Sequence, residues 1–180
     1  ELEKRNLLRD FCVAIDNFVV YRPSFGLHTI IAGYPWFLDW GRDSLISFEG
    51  LLLCTRRFDV AKEVLLTLVR NIKFGLVPNG YSGYDNRPLY NSVDSSLLLF
   101  EAVYKYLQYT GDYKFIESQI YEKLVIIIEN YIEGIDLDDN NIFLDIDGLI
   151  SSGTENTQNT WMDAKYGNHC FTPRNGKAIE

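Results

Sequence analysis

The chain has 180 residues, of which 47% are hydrophobic and 14% aromatic, a composition that packs a core and excludes an intrinsically disordered segment. A formal net charge of −8 leaves no electrostatic footprint for nucleic acid or an anionic membrane. The richest apolar run, Leu124 to Ile128, is far too short to span a bilayer.

Helical spacing of Leu7, Leu8, Phe11, Ala14, Ile15 and Phe18 predicts a first helix over roughly Leu2 to Val20. Arg22-Pro23 stops it, because proline disfavours helical backbone in the residue before it. Thr29 to Gly33 is a short β-like run, and Tyr34 to Asp43 a polar-aromatic turn. A second helix, Asp43 to Leu53, is apolar on nearly every face and is expected to be buried all round. The third runs from Val60 to Phe74, with Asp59 as its N-cap and Gly75 past its end. After a loop over Gly75 to Tyr90, Ser92 caps a fourth helix that reaches Tyr109. Gly111 ends that helix and Asp112 caps the fifth, Tyr113 to Ile132. Asp136 to Asn141 is a turn, Asn141 to Ile146 a short strand, and Gly148 and Gly153 mark loops. Helices joined in this order predict an all-α fold of helical hairpins: a bundle, a solenoid or a closed toroid, with the all-round apolar helix in an inner layer.

Three loops carry residues that such packing does not require. In Pro35 to Asp43 two tryptophans, Trp36 and Trp40, stand among Asp39, Arg42 and Asp43. A guanidinium donates in a fixed fork and a carboxylate accepts, so an Arg–Asp pair can grip vicinal hydroxyls while indole faces stack on a sugar ring. The structural alternative makes Asp43 a helix cap and Trp36 a core residue. In Asn91 to Ser96, Asp94 falls in the first turn of a helix, where an acid also offsets the helix dipole. In Thr160 to Ala164, Asp163 lies beside Trp161; apolar neighbours raise a carboxyl pKa, and such an acid can protonate a glycosidic oxygen. A neutral polyhydroxylated substrate suits this acidic chain better than a phosphate does.

In order and spacing these loops resemble the amylo-α-1,6-glucosidase domain of glycogen-debranching enzymes, in its bacterial and archaeal form. The resemblance runs through Ala32 to Phe37, Asp39 to Ser44, Gly75 to Asn79, Tyr90 to Asp94, Thr110 to Asp112, Asp147 to Ile150, Thr160 to Ala164 and Thr172 to Lys177. It implies an (α/α)6 toroid, of which the five helices form the first part of the ring. The chain, which begins at Glu1 and stops at Glu180, is then expected to be the N-terminal portion of a longer cytoplasmic enzyme's catalytic domain. Its three cysteines, Cys12, Cys54 and Cys170, match no metal spacing and fit a reducing compartment. The family hydrolyses the single α-1,6-linked glucose at a glycogen branch point, with inversion and without metal or organic cofactor. Matched residue by residue, Asp163 is the general acid. Arg42 and Asp43 hold the terminal glucose; Trp36, Trp40 and Trp161 wall the pocket; Asp39, Asn79, Tyr90 and Asp94 lie on the matching loops. Inversion also needs a base across the scissile bond, expected beyond Glu180, so the fragment alone is expected to be inactive and to depend on the rest of its domain.

The sequence departs from the family pattern at Leu98, where tryptophan is frequent, at Asn168-His169-Cys170, and at Thr55-Arg56-Arg57, which lacks a common glycine. Asp136 to Asp147 resembles a calcium loop until its sixth position, Asn141, where the sharp turn needs glycine. Rival readings are a glucoamylase- or trehalase-like inverting enzyme of the same toroid class and a non-catalytic glucan-binding module.

Overall fold

The computed structural model describes residues 2–82, 85–137 and 139–177; Asp138 and Glu180 lie outside them. The first helix, α1 (Leu2–Asp16), ends earlier than its apolar spacing implies. The β-branched and aromatic run after Phe18 favours extended backbone instead. It forms β1 (Val19–Arg22), which pairs antiparallel with β2 (Leu27–Ile30), Val19 opposite Ile30. The apolar positions Leu7, Leu8 and Phe11 of α1 are exposed rather than packed.

Helix α2 (Gly41–Phe48) continues as a π-helical turn over Glu49–Leu53. Leu45, Phe48, Leu52 and Leu53 are buried as expected of an inner helix, but Ile46 is exposed, so the helix is not covered on every face. Helix α3 (Phe58–Arg70) buries Val64, Leu65 and Leu68 and packs against β2. It begins one residue before Asp59, which therefore sits in the first turn and not at the cap. Helix α4 (Asp94–Thr110) packs against α2 and contributes Leu99, Val103 and Tyr106 to the same core. Its start is held as expected by Ser92, whose Oγ accepts from the Ser95 N–H at 3.0 Å. Gly111 ends it in the left-handed region (φ +64°). Asp112 then caps the short α5 (Tyr113–Phe115), accepting from the Phe115 N–H at 3.2 Å. A second π-helical turn, Ile116–Ile120, leads into α6 (Tyr121–Glu133).

The remaining strands are two residues each: β3 (Gly80–Tyr81) with β4 (Pro88–Leu89), β5 (Phe143–Leu144) with β6 (Ile150–Ser151), and β7 (Lys165–Tyr166) with β8 (His169–Cys170). The described residues are thus helix-rich with four small antiparallel hairpins, not all-α. The hairpins brace the loops on which the unusual side chains sit. In the calcium-like stretch, Lys177 Nζ lies 2.8 Å from Asp145 and also pairs with Asp147, so the last residue of that stretch is held by an ammonium. No helix among the described residues is long and apolar enough to cross a membrane.

Candidate active site

Two loops are fastened together to present α2. Trp40 bridges to Gly80, and the Gly41 N–H donates to the Asn79 carbonyl at 2.7 Å. The backbones approach so closely that a Cβ on residue 41 would lie 2.2 Å from the Pro78 carbonyl oxygen, so only glycine fits. This contact sets where Arg42 and Asp43 leave the helix.

Arg42 is nearly sealed from solvent, its side chain 7% exposed. Its Nε donates to Asp94 at 2.5 Å and its Nη2 to the other Asp94 oxygen at 2.9 Å, a bidentate ion pair. The third nitrogen, Nη1, reaches Asp163 at 3.4 Å. Ser92 Oγ donates at 2.5 Å to the same Asp94 oxygen that accepts from Nη2, adding a second hold on the carboxylate. The packing of α2 on α4 makes this pair possible across 52 residues of chain.

Asp163 is delivered by the segment after β6. The Val93 N–H donates to the Asn159 carbonyl at 2.9 Å, tying that segment to the start of α4. Thr160 Oγ1 accepts from the Met162 N–H at 3.3 Å, and Thr172 Oγ1 donates to the Met162 carbonyl at 3.3 Å, so both sides of the loop are fixed.

Arg42, Asp43 and Asp163 line one cavity of about 580 Å³, within the ordinary size of small-molecule sites. Phe37, Trp40 and Trp161 supply its aromatic walls, and Ile46 and Gln158 lie on its lining. Asp43 keeps contact with solvent, yet the surrounding protein raises its carboxyl above the ordinary range by desolvation. The charges of Asp163 and Asp94 push the same way; a backbone hydrogen bond and Arg42 oppose them. Because water still reaches the group, that rise is moderated by screening.

The other expected site residues lie elsewhere. Trp36 is 84% exposed and stands off the cavity wall, neither core nor lining. Asp39 is buried, paired with Arg22 and accepting from Thr29 Oγ1 at 3.2 Å, so it braces the β1–β2 hairpin and does not face the cavity. Asn79 is fully buried; its Oδ1 accepts from Ser95 Oγ at 3.3 Å and its backbone joins Gly41 to Leu89. Tyr90 donates its hydroxyl to the Asn71 carbonyl at 2.7 Å and lines a different cavity. Asp94 is not merely a dipole acid, since it holds Arg42. Arg42 pairs with Asp94 and Asp163, while Asp43 lines the same cavity beside it. Asp43 is not a side-chain cap, since α2 begins two residues earlier. Phe37, Ile46 and Gln158 were not among the sequence candidates. The polar run Asn156 to Thr160, between Gly153 and Trp161, was the available signal for Gln158.

A family model described as amylo-alpha-1,6-glucosidase matches residues 13–180. The chain is 28% identical over 214 aligned positions to the glycogen debranching enzyme of Saccharomyces cerevisiae (strain ATCC 204508 / S288c). That alignment covers 88% of this chain but 14% of the yeast protein, so the chain spans a small part of the curated relative it matches.

Proposed function

The chain belongs to the amylo-alpha-1,6-glucosidase family, and from that premise we propose that its aromatic cavity takes the single α-1,6-linked glucose of a glycogen branch point. Asp163 gives its proton to the bridging oxygen as the bond to the anomeric carbon breaks, and water enters from the opposite face, so the sugar leaves with inverted configuration. Arg42 and Asp43 hold the hydroxyls of the departing glucose, the first as donor and the second as acceptor. Trp40 and Trp161 cover its apolar faces. Asp94 is a positioning residue that fixes the guanidinium. The inverting base is assigned to none of these residues.

The observation that carries this reading is the meeting of Arg42, Asp43 and Asp163 in one aromatic-walled cavity, though 121 residues separate Arg42 from Asp163. The helical pairs are proposed as the first part of an (α/α)6 ring, and residues 1–180 as the N-terminal portion of its catalytic domain. A cytoplasmic location fits two solvent-exposed free thiols, Cys12 and Cys54.

The stereochemical course tests the mechanism. With the intact protein carrying this chain, proton NMR of a singly branched maltooligosaccharide is expected to show β-glucose first, with no turnover of unbranched α-1,4 chains or trehalose. Initial release of α-glucose would exclude inversion, and trehalose cleavage would exclude the branch-point substrate.

A further inference from the structure

Three polar side chains are sealed between the start of α4 and the Asn79 loop: Ser92, Ser95 and Asn79, each 0% exposed. A plain helical core fills such positions with apolar side chains, because a buried hydroxyl or amide must find a partner. Helix capping accounts for one of them. Ser92 Oγ accepts from the Ser95 N–H and so closes the first turn of α4. Capping gives no reason for the Ser95 hydroxyl or the Asn79 side chain.

The hydrogens of these groups can run in one sense only. A carboxylate carries no hydrogen, so in its 2.5 Å contact with Asp94 the Ser92 hydroxyl is the donor. That uses its only hydrogen. The 2.7 Å contact between Ser92 Oγ and Ser95 Oγ must then be made by the Ser95 hydroxyl, with Asn79 Oδ1 sharing the same hydrogen at 3.3 Å. Ser92 Oγ thus accepts from the N–H and the O–H of Ser95 and donates to Asp94, which fills its lone pairs and its one donor. Bonds that follow one another in this sense polarise each other toward the charge at their end, Asp94.

The line of bonds closes on itself. Asp94 accepts from Nε and Nη2 of Arg42. Gly41, the residue before Arg42, donates its N–H to the carbonyl of the same Asn79. Two adjacent residues at the start of α2 are therefore held from two sides: residue 41 through the Asn79 backbone, and residue 42 through the Asn79 side chain, Ser95, Ser92 and Asp94 in turn. We propose that Ser92 and Ser95 are positioning residues for the Arg42 guanidinium, acting through Asp94, and that Asn79 anchors this circuit and does not touch substrate. The role rests on the reading of the cavity as the glucose site, where Nη1 is the nitrogen of Arg42 not committed to Asp94.

The test is a mutant cycle in the intact protein, with kcat and KM measured on a singly branched maltooligosaccharide. Ser92→Ala is expected to lower kcat/KM about tenfold, mostly through KM, because the clamp holds the sugar in ground and transition states alike. In an Asp94→Ala background the same substitution is expected to change kcat/KM less than about twofold, since the link it breaks is already gone. A cap with no further role would lower thermal stability in both backgrounds and leave kcat/KM in place. Ser95→Ala keeps the cap, because the N–H of residue 95 still donates to Ser92, and is expected to lower kcat/KM about threefold. Wild-type kcat/KM in Ser95→Ala, or an equal loss from Ser92→Ala in both backgrounds, overturns the proposal; the first result decides it even where Ser92→Ala does not fold. Failure of the cavity reading has a different signature: Arg42→Gln would then keep wild-type kcat/KM, and the positioning role would fall with it. Inert serine variants beside an impaired Arg42→Gln strike the proposal alone.

Discussion

Two of the three nitrogens of Arg42 are committed to Asp94, and only Nη1 is directed toward Asp163. A lysine at this position would keep the charge but lose the fork, so it could not be held at both ends of one carboxylate. Asp43 stands in the same electrostatic field. Its carboxyl is raised chiefly by desolvation, with Asp163 and Asp94 adding and Arg42 opposing. Removing the opposing charge should raise it further: in Arg42→Gln, carboxyl-detected NMR is expected to show Asp43 titrating at higher pH than in wild type, and in Asp94→Asn at lower pH. Movement in the reverse directions would mean that the field around the cavity is misread. The linkage to stability follows with its sign. A carboxyl whose folded pKa exceeds its unfolded one contributes most below the unfolded value, and that contribution is lost as pH rises through the folded value. Asp43→Asn should therefore flatten the pH dependence of stability across that window.

At the scale of elements, the site depends on how closely two loops meet. Gly41→Ala forces its Cβ against the Pro78 carbonyl, a backbone atom with little freedom to retreat. The α2 start and the Asn79 loop must separate, displacing Arg42. Urea unfolding is expected to show a loss of about 1–3 kcal/mol, the range for overpacked sites, together with weaker glucose binding. A wild-type midpoint would show that the loops part freely. The turn after α2 holds the opposite case. Arg56 adopts φ +59°, a left-handed conformation that costs a non-glycine residue about 1–2 kcal/mol. Arg56→Gly relieves that cost while making the unfolded chain more flexible by about 0.4–1 kcal/mol. The net expectation is a gain of roughly 0.5–1 kcal/mol, read as a higher denaturation midpoint; a lower midpoint would mean that the Arg56 side chain contributes packing not evident from its exposure.

For the whole molecule, the helices were legible because periodic apolar residues and end signals such as Ser92, Gly111 and Asp112 act locally. The small hairpins were not, because two residues per strand carry no period. The Val19–Arg22 strand was hidden inside an apolar spacing that α1 shares. Arg42, Asp43, Trp40, Trp161 and Asp163 stood out as residue types that loops of a plain helical fold do not need, and they do share a cavity. The partner of Arg42 was not legible, since it depends on α2 packing against α4, and a long-range contact leaves no mark on either loop alone. Asp39 was misplaced for the same reason: its partner, Arg22, belongs to a hairpin that apolar spacing had assigned to a helix end.

The measurement that bears most directly on the proposed chemistry compares turnover with binding in Asp163→Asn of the intact protein, using a singly branched maltooligosaccharide. Loss of a general acid is expected to lower kcat by about 10²–10⁴-fold while the substrate still binds within a few fold of wild type. Turnover that survives this substitution unchanged would contradict the assignment of the proton to Asp163, and the cavity would then be a binding site whose chemistry lies elsewhere.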